Sequence, residues 1–299
     1  MSATQPFSTG FTPLPPDGPR PDWLKIRVSC GGEMSATRAR LQSLGLNTVC
    51  ASAACPNICH CWSRGHATTL ILGPECTRHC RFCNVSKGAP APPDPDEPAH
   101  VAAAVRDSGL REVVVTSVTR DDLPDGGAAH WADTVNAIRA TAPGVKIEVL
   151  TPDFQGDANA LKTVFATRPD IFGHNLETVP RLYRAVRPEA DYARSLAVLR
   201  AAAESNLTVK TSLMLGLGET DDEIYRTLAD AHAAGASIVF MGQYLRPSPR
   251  HVPVAGYLSP EHFAALGEAA KSLGFAAVES APFVRSSYRG GSQFIVPSS

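Results

Sequence analysis

Neither sign of charge prevails in this chain: 28 lysines and arginines stand against 29 aspartates and glutamates, a formal charge of −1 over 299 residues. That balance gives no electrostatic reason to expect nucleic acid or an anionic membrane as the main partner. No apolar run approaches the roughly 20 residues of a membrane span. The stretch "MSATQPFSTGFTPLPPDGPRPDW" lacks the basic start and apolar core of a secretory leader; its prolines and glycines read as an extended, partly mobile arm. No GxGxxG follows the first strand-like segment, which removes the usual signal for a dinucleotide site. "GLGET" (216–220) lacks the GK[ST] ending of a phosphate loop and reads as a turn leaving a strand, with Thr220 or Asp221 as a helix N-cap. A chain without a leader is expected in the cytoplasm, where thiols stay reduced. Its eight cysteines are therefore expected to do metal or redox chemistry rather than form a disulfide framework.

Hydrophobic content of 43% and charged content of 19% fit a soluble globular protein. After the arm, "EMSATRARLQSLGL" has helical spacing (33–44). Beyond the cysteines, strand-like and helix-like segments alternate. The strands are expected at 68–73, 112–117, 145–150, 170–177, 207–215 and 237–245. Amphipathic helices are expected at 98–109, 128–141, 157–167, 190–205 and 220–235, then at 260–274, with a short strand at 275–280. Helical crossovers imply a parallel sheet. The fold class is thus α/β, a partial (β/α)6 barrel of the TIM type, with a doubly wound open sheet as the alternative. The chain divides into an arm (1–22), an N-terminal extension with the first cysteine group (23–66), the barrel (67–257) and a C-terminal extension (258–299). In a barrel, chemistry gathers where strands end. Cys76, Cys80 and Cys83 follow the first strand, Thr116 to Asp122 the second, and Asn175 and Glu177 close the fourth.

Seven of the eight cysteines lie between positions 50 and 83. "ECTRHCRFC" sets Cys76, Cys80 and Cys83 in a CxxxCxxC pattern within one loop. Structural zinc wants four ligands, usually as two pairs from separate knuckles; here three thiolates come from one loop, and His79 beside Cys80 is poorly placed to be the fourth. A [4Fe–4S] cluster takes thiolates on separate irons, so three cysteines leave one iron open for an exogenous ligand. The upstream trio Cys50, Cys55 and Cys61 suggests a second cluster, with Cys59 as a competing ligand, whereas isolated Cys30 reads as an ordinary thiol.

CxxxCxxC after the first strand of a partial barrel resembles the radical S-adenosylmethionine (SAM) enzymes, in which the open iron binds SAM. The two trios together, with "RPDWLKIR", "CPN", "ILGPECTRHCRFCNVSKG", "TSVTRDDLPDGGAAH", "TPDFQG", "HNLETVPRLYRAVRP", "LMLGLGET", "GQYLRPS" and "FVRSSY", resemble the lipoyl synthase family over roughly residues 20 to 290. The resemblance implies insertion of two sulfur atoms, at C6 and C8, into an octanoyl chain carried on a lysine of a partner protein. It implies two [4Fe–4S] clusters and SAM as cofactors. Cys76, Cys80 and Cys83 would hold the SAM cluster; Cys50, Cys55, Cys61 and Ser287 of the "RSS" tail would hold an auxiliary cluster that yields its own sulfides. Ser117, Asn175, Glu177, Arg194 and Lys210 would surround SAM, with Asn175 and Glu177 near its ribose and Lys210 or Arg194 near its carboxylate.

The implied partners are octanoylated lipoyl carrier domains, either 2-oxoacid dehydrogenase E2 subunits or a glycine cleavage H protein. A ferredoxin or flavodoxin reductant and an iron–sulfur cluster carrier are also implied, with no nucleic acid and no membrane. Departures from the family pattern surround the auxiliary site: "CASAAC" lacks its acidic pair, His60 replaces glutamate, and Cys59, His66 and Gly290 are unusual. Rival readings are a biotin-synthase-like or methylthiotransferase-like radical SAM enzyme, and a metal-binding protein without turnover.

Overall fold

The computed structural model describes residues 6–25, 32–64 and 66–287. Cys30, Gly65, Tyr288 and Gly290 lie outside these segments. In chain order, α1 (Gly32–Ser43), β1 (Asn47–Thr48), α2 (Val49–Ser52) and α3 (Ile58–Trp62) lead to β2 (Thr68–Ile71). The second cysteine loop carries two short strands, β3 (Glu75–Cys76) and β4 (Ser86–Lys87). There follow α4 (Glu97–Ser108), β5 (Glu112–Ser117), α5 (Ala128–Thr141), β6 (Lys146–Leu150), α6 (Ala158–Ala166) and β7 (Ile171–Gly173). The chain continues through α7 (Tyr183–Val186), α8 (Tyr192–Glu204), β8 (Val209–Leu215), α9 (Asp221–Ala233), β9 (Ile238–Gln243), α10 (Pro260–Leu273) and β10 (Ala277–Ser280).

The main sheet has the order β1-β2-β5-β6-β7-β8-β9-β10. Every neighbouring pair from β2 onward is parallel, and β1 lies antiparallel on β2. Each strand therefore sits beside its predecessor, as in barrel winding, whereas a doubly wound sheet reverses order at a switch point. The six expected barrel strands are present, and β10 adds a seventh parallel neighbour. β8 and β9 are buried along nearly their whole length, as strands covered on both faces must be.

Local chemistry sets the helix ends. Thr220 and Glu223 form a reciprocal capping box at the start of α9, so the N-cap is Thr220. α10 begins with Ser259 as N-cap and Pro260 in its first turn, and ends at Gly274 in the left-handed conformation, the arrangement that stops a helix at least cost. The helices lay apolar faces on the sheet; Trp131, Ile138, Phe172 and Leu199 are fully buried between them.

One expectation is revised. The fourth strand stops at Gly173, not at Glu177. His174 Nδ1 turns to the Thr151 carbonyl at 3.0 Å, and Glu177 takes a positive φ of 68° while bridging to Leu213. The chain thus bulges by one residue after Gly173 and pairs with β8 again at Glu177, whose N–H bonds the Ser212 carbonyl and whose own carbonyl accepts from Met214. The described part of the arm makes contacts with the barrel at several points. Phe7 and Thr9 donate backbone N–H bonds to Asp222 and Asp221 at 3.1 and 2.7 Å, and Phe7 stacks on Tyr225 at 4.5 Å. Leu14 and Tyr257 exchange a pair of 2.8 Å backbone bonds. The side chain of Thr9 also donates to Asp221. Thr9→Val is expected to lower global stability by about 1 kcal/mol and to speed proteolysis of the first residues, as read by denaturant unfolding and timed digestion.

Candidate active site

Beginning with its own charges, the second cysteine loop is fastened by a residue that the CxxxCxxC pattern does not require. Arg78 is 4% exposed. Its Nε and Nη2 donate to the Asp121 carboxylate at 2.6 and 2.9 Å, and Nη2 also reaches Asp153 at 2.6 Å. Burial disfavours the guanidinium charge, but the two carboxylates outweigh that and hold it protonated. Asp121 follows β5 and Asp153 follows β6, so the loop is locked to two strand ends. The Thr77 hydroxyl adds a 3.0 Å bond to the Thr119 carbonyl, and Cys76 Sγ accepts N–H bonds from Thr119 and Arg78 at 3.3 and 3.5 Å.

The first cysteine loop is fastened from the other end of the chain. Asn57 Nδ2 donates to the Phe283 carbonyl at 2.8 Å. The tail segment 281–285 lies along β9: Ala281 N–H bonds Met241 O, and Gln243 N–H bonds Pro282 O. Gly242 makes this possible, since a Cβ there would stand 1.9 Å from the Val284 carbonyl oxygen. Cys50, Cys55 and Cys61 then line one cavity together with Arg285 and Ser287.

Cys76, Cys80 and Cys83 line a neighbouring cavity of about 480 Å³, and so do Cys50, Cys55, Ser286 and Ser287. Members of both trios open on the same space. All six thiols are free. Burial, then the neighbouring thiols, push Cys61 up to about 12. Burial likewise pushes Cys80 up to about 12 and raises Cys55 and Cys83. Thiols so placed favour a cationic metal group, whose charge would offset both effects. Among the described residues, no three Cys, His, Asp or Glu side chains converge on a point suited to one metal ion. The thiols are set around cavities, a spread that the separate irons of a cluster can span. Cys59 lines neither cavity.

The remaining wall has unspent hydrogen-bonding capacity. Ser117 Oγ, His174 Nε2, Asn175 Oδ1 and Arg187 Nε are buried without a protein partner, and all four residues line the large cavity. Buried polar atoms are ordinarily bonded, so these fit a polar ligand. Because His174 Nδ1–H donates to a carbonyl, Nε2 is left as an acceptor; burial, then the Arg187 charge, lowers the imidazole to about 4. Asn175 Nδ2 donates to Glu177 Oε1 at 3.0 Å. Burial raises the Glu177 carboxyl, against the opposing pull of Arg187.

Of the expected residues, the structure brings Ser117, Asn175, Glu177, Ser287 and five of the six trio cysteines to the large cavity, with Cys61 beside it. Two of the expected residues lie off this cavity. Lys210 is 2% exposed and turned into the barrel, paired with Glu148 at 2.9 Å and set 3.8 Å over the Phe240 ring. Arg194 reaches from α8 toward Asp153 at 3.5 Å. Neither lines the cavity. Among the cations that do is Arg187, whose Nη1 donates to the Asn175 and Leu176 carbonyls at 2.9 and 3.1 Å. Sequence reasoning missed Arg187, His174 and the role of Arg78. Position gave one signal: a guanidinium embedded between two cysteines needs a carboxylate if the loop is buried.

Residues 70–231 match the family described as the Radical SAM superfamily. A lipoyl synthase of Chlorobaculum parvum is 51% identical over 273 residues, 91% of this chain and 94% of that protein. A lipoyl synthase of Nitratidesulfovibrio vulgaris is 50% identical over 274 residues, 92% of both chains. The crystal structure of methylornithine synthase superposes with a TM-score of 0.51 over 89% of this chain and 86% of that one, at 13% identity. That likeness speaks to the fold.

The placement of Lys210 has a measurable consequence. Lys210→Ala removes the ammonium that bonds the fully buried Glu148 carboxylate and should cost about 3–5 kcal/mol. Pairing Lys210→Met with Glu148→Leu should recover most of it, as read from urea midpoints.

Proposed function

We propose that this chain, which belongs to the lipoyl synthase family of the radical SAM superfamily, inserts two sulfur atoms, at C6 and C8, into an octanoyl chain presented on a lysine of a carrier protein. The observation that carries the reading is that Cys76, Cys80 and Cys83 share one cavity with Cys50 and Cys55, with Cys61 beside it. Its other walls include Leu70, Val118, Leu150, Leu213, Phe240 and Leu245, an apolar lining suited to an alkyl chain. An alkyl C–H bond has no acidity for a side chain to exploit, so the hard step falls to cofactors. When bound, a cluster on Cys76, Cys80 and Cys83 supplies the electron that makes SAM a hydrogen-abstracting reagent, and one on Cys50, Cys55, Cys61 and Ser287 supplies sulfur.

The chain's own residues bind and orient. His174 and Asn175 offer acceptors, Ser117 a hydroxyl and Arg187 a cation, a set suited to the hydroxyls, ammonium and carboxylate of SAM. Glu177 stands beside them. Arg187 and Asn175 are joined through the Asn175 carbonyl, so this wall is held as a unit before any ligand arrives. The apolar lining excludes water from the acyl chain. The same reading assigns the auxiliary cluster to the extensions at 23–66 and 258–299, flanking a barrel of 67–257. It also assigns a reducing, cytoplasmic setting with a ferredoxin or flavodoxin as electron donor, and an iron–sulfur carrier that restores the spent cluster.

Anaerobic turnover with SAM, a reductant and an octanoyl-lysine peptide, followed by mass analysis, tests the reading; absence of thiolated peptide from cluster-loaded protein contradicts it. Replacing Cys76, Cys80 and Cys83 by Ala should abolish reductive cleavage of SAM. Replacing Cys50, Cys55 and Cys61 should leave cleavage intact but yield no sulfur-bearing product. Gly242→Ala supplies a subtler check. Its Cβ would displace the Val284 carbonyl and with it Ser287, without touching the Cys76 loop. A shift of about 1 Å at a reacting group can cost on the order of 100-fold, so doubly thiolated product should fall by that order while SAM cleavage persists.

A further inference from the structure

The large cavity is lopsided in charge. Arg20, Arg78, Lys87, Arg187, Arg246 and Arg285 line it, against one carboxylate, Glu177, among the described lining residues, in a chain whose overall charge is −1. Half of this cationic set has a task within the site. Arg78 and Arg187 are buried and bonded to the loops already described, and Arg285 donates to the Pro282 and Val284 carbonyls of the tail. The others lie toward solvent. Arg20 and Lys87 are exposed and Arg246 is half-exposed, so the three mark the mouth. Lys87 Nζ donates to the Cys83 carbonyl at 2.7 Å, and Arg246 donates to the His251 and Pro249 carbonyls. Carbonyl oxygens position these heads without neutralising them.

The three come from distant parts of the chain: the arm, the second cysteine loop and the segment after β9. Like charges gathered at one opening repel one another, and a cavity that admits only an alkyl chain has no need of them. They do fit an anionic surface that arrives with the chain. We propose that Arg20, Lys87 and Arg246 form a docking surface for acidic side chains next to the lysine that presents the acyl group, so that the carrier is selected by charge at the mouth and the acyl chain by apolar contact within. This rests on the reading that an acyl-lysine enters here.

Binding measured by calorimetry on the cluster-loaded full chain tests the surface independently of turnover. The probes are octanoyl-lysine peptides flanked by aspartates, by asparagines or by lysines. Wild type should bind the aspartate-flanked peptide about tenfold more tightly than the asparagine-flanked one at low salt, and the difference should shrink as salt rises. Arg20→Glu combined with Lys87→Glu should reverse the order in favour of the lysine-flanked peptide, a rescue that general damage would not produce. Equal affinity of wild type for all three peptides, or an order unchanged in the variant, would overturn the proposal. The charge preference without lipoyl product from any peptide would leave the docking surface standing and refute the assigned reaction. Product formed with no charge preference would do the reverse.

Discussion

The buried ion pair between Arg78 and the carboxylates of Asp121 and Asp153 is the interaction on which the site's geometry depends. The cysteine loop is too short to fold by itself, and the apolar contacts of Cys76, Phe82, Cys83 and Val85 carry no directional information. Here a single guanidinium between two of the cysteines reaches the ends of two parallel strands. Such a pair is costly to bury and costlier to break, about 3–5 kcal/mol when one partner is lost. Its value lies less in net stability than in fixing where three thiols stand relative to the barrel rim.

The other trio is fixed by a different device. Its loop is tied through Asn57 to the tail, and the tail lies on β9 where Gly242 leaves room for a backbone carbonyl. Residues from the start and the end of the chain thus close over one opening, and the site is complete only when both ends are in place. Between the trios lie buried polar atoms without partners and an apolar wall. That combination suits a polar cofactor and an alkyl substrate held side by side, with the barrel interior kept sealed beneath by the Lys210–Glu148 pair.

The barrel was legible because its signals are local. Short apolar strands alternate with amphipathic segments, α5 and α10 begin at the residues that periodicity indicates, and α9 starts from its Thr220 cap. The cysteine spacing likewise announced the cluster loops. What sequence could not give was direction. Lys210 lies in β8 and Arg187 caps α7, but only the packed structure turns one into the barrel against Glu148 and the other to the cavity. The early end of the fourth strand was hidden for a similar reason, since the bonds of His174 and Glu177 are made to segments far along the chain. The arm's proline-rich composition concealed Phe7 and Thr9, whose partners lie more than 200 positions away.

The central claim is that two separate cysteine trios hold two separate clusters that face one cavity. Iron and sulfide analysis with Mössbauer spectroscopy, on anaerobically reconstituted wild type and on a variant lacking each trio, tests it most directly. The account predicts two clusters' worth of iron and sulfide in wild type and one in each variant, with SAM perturbing only the cluster held by Cys76, Cys80 and Cys83. Full iron and sulfide in either variant, or zinc without sulfide in wild type, would contradict it.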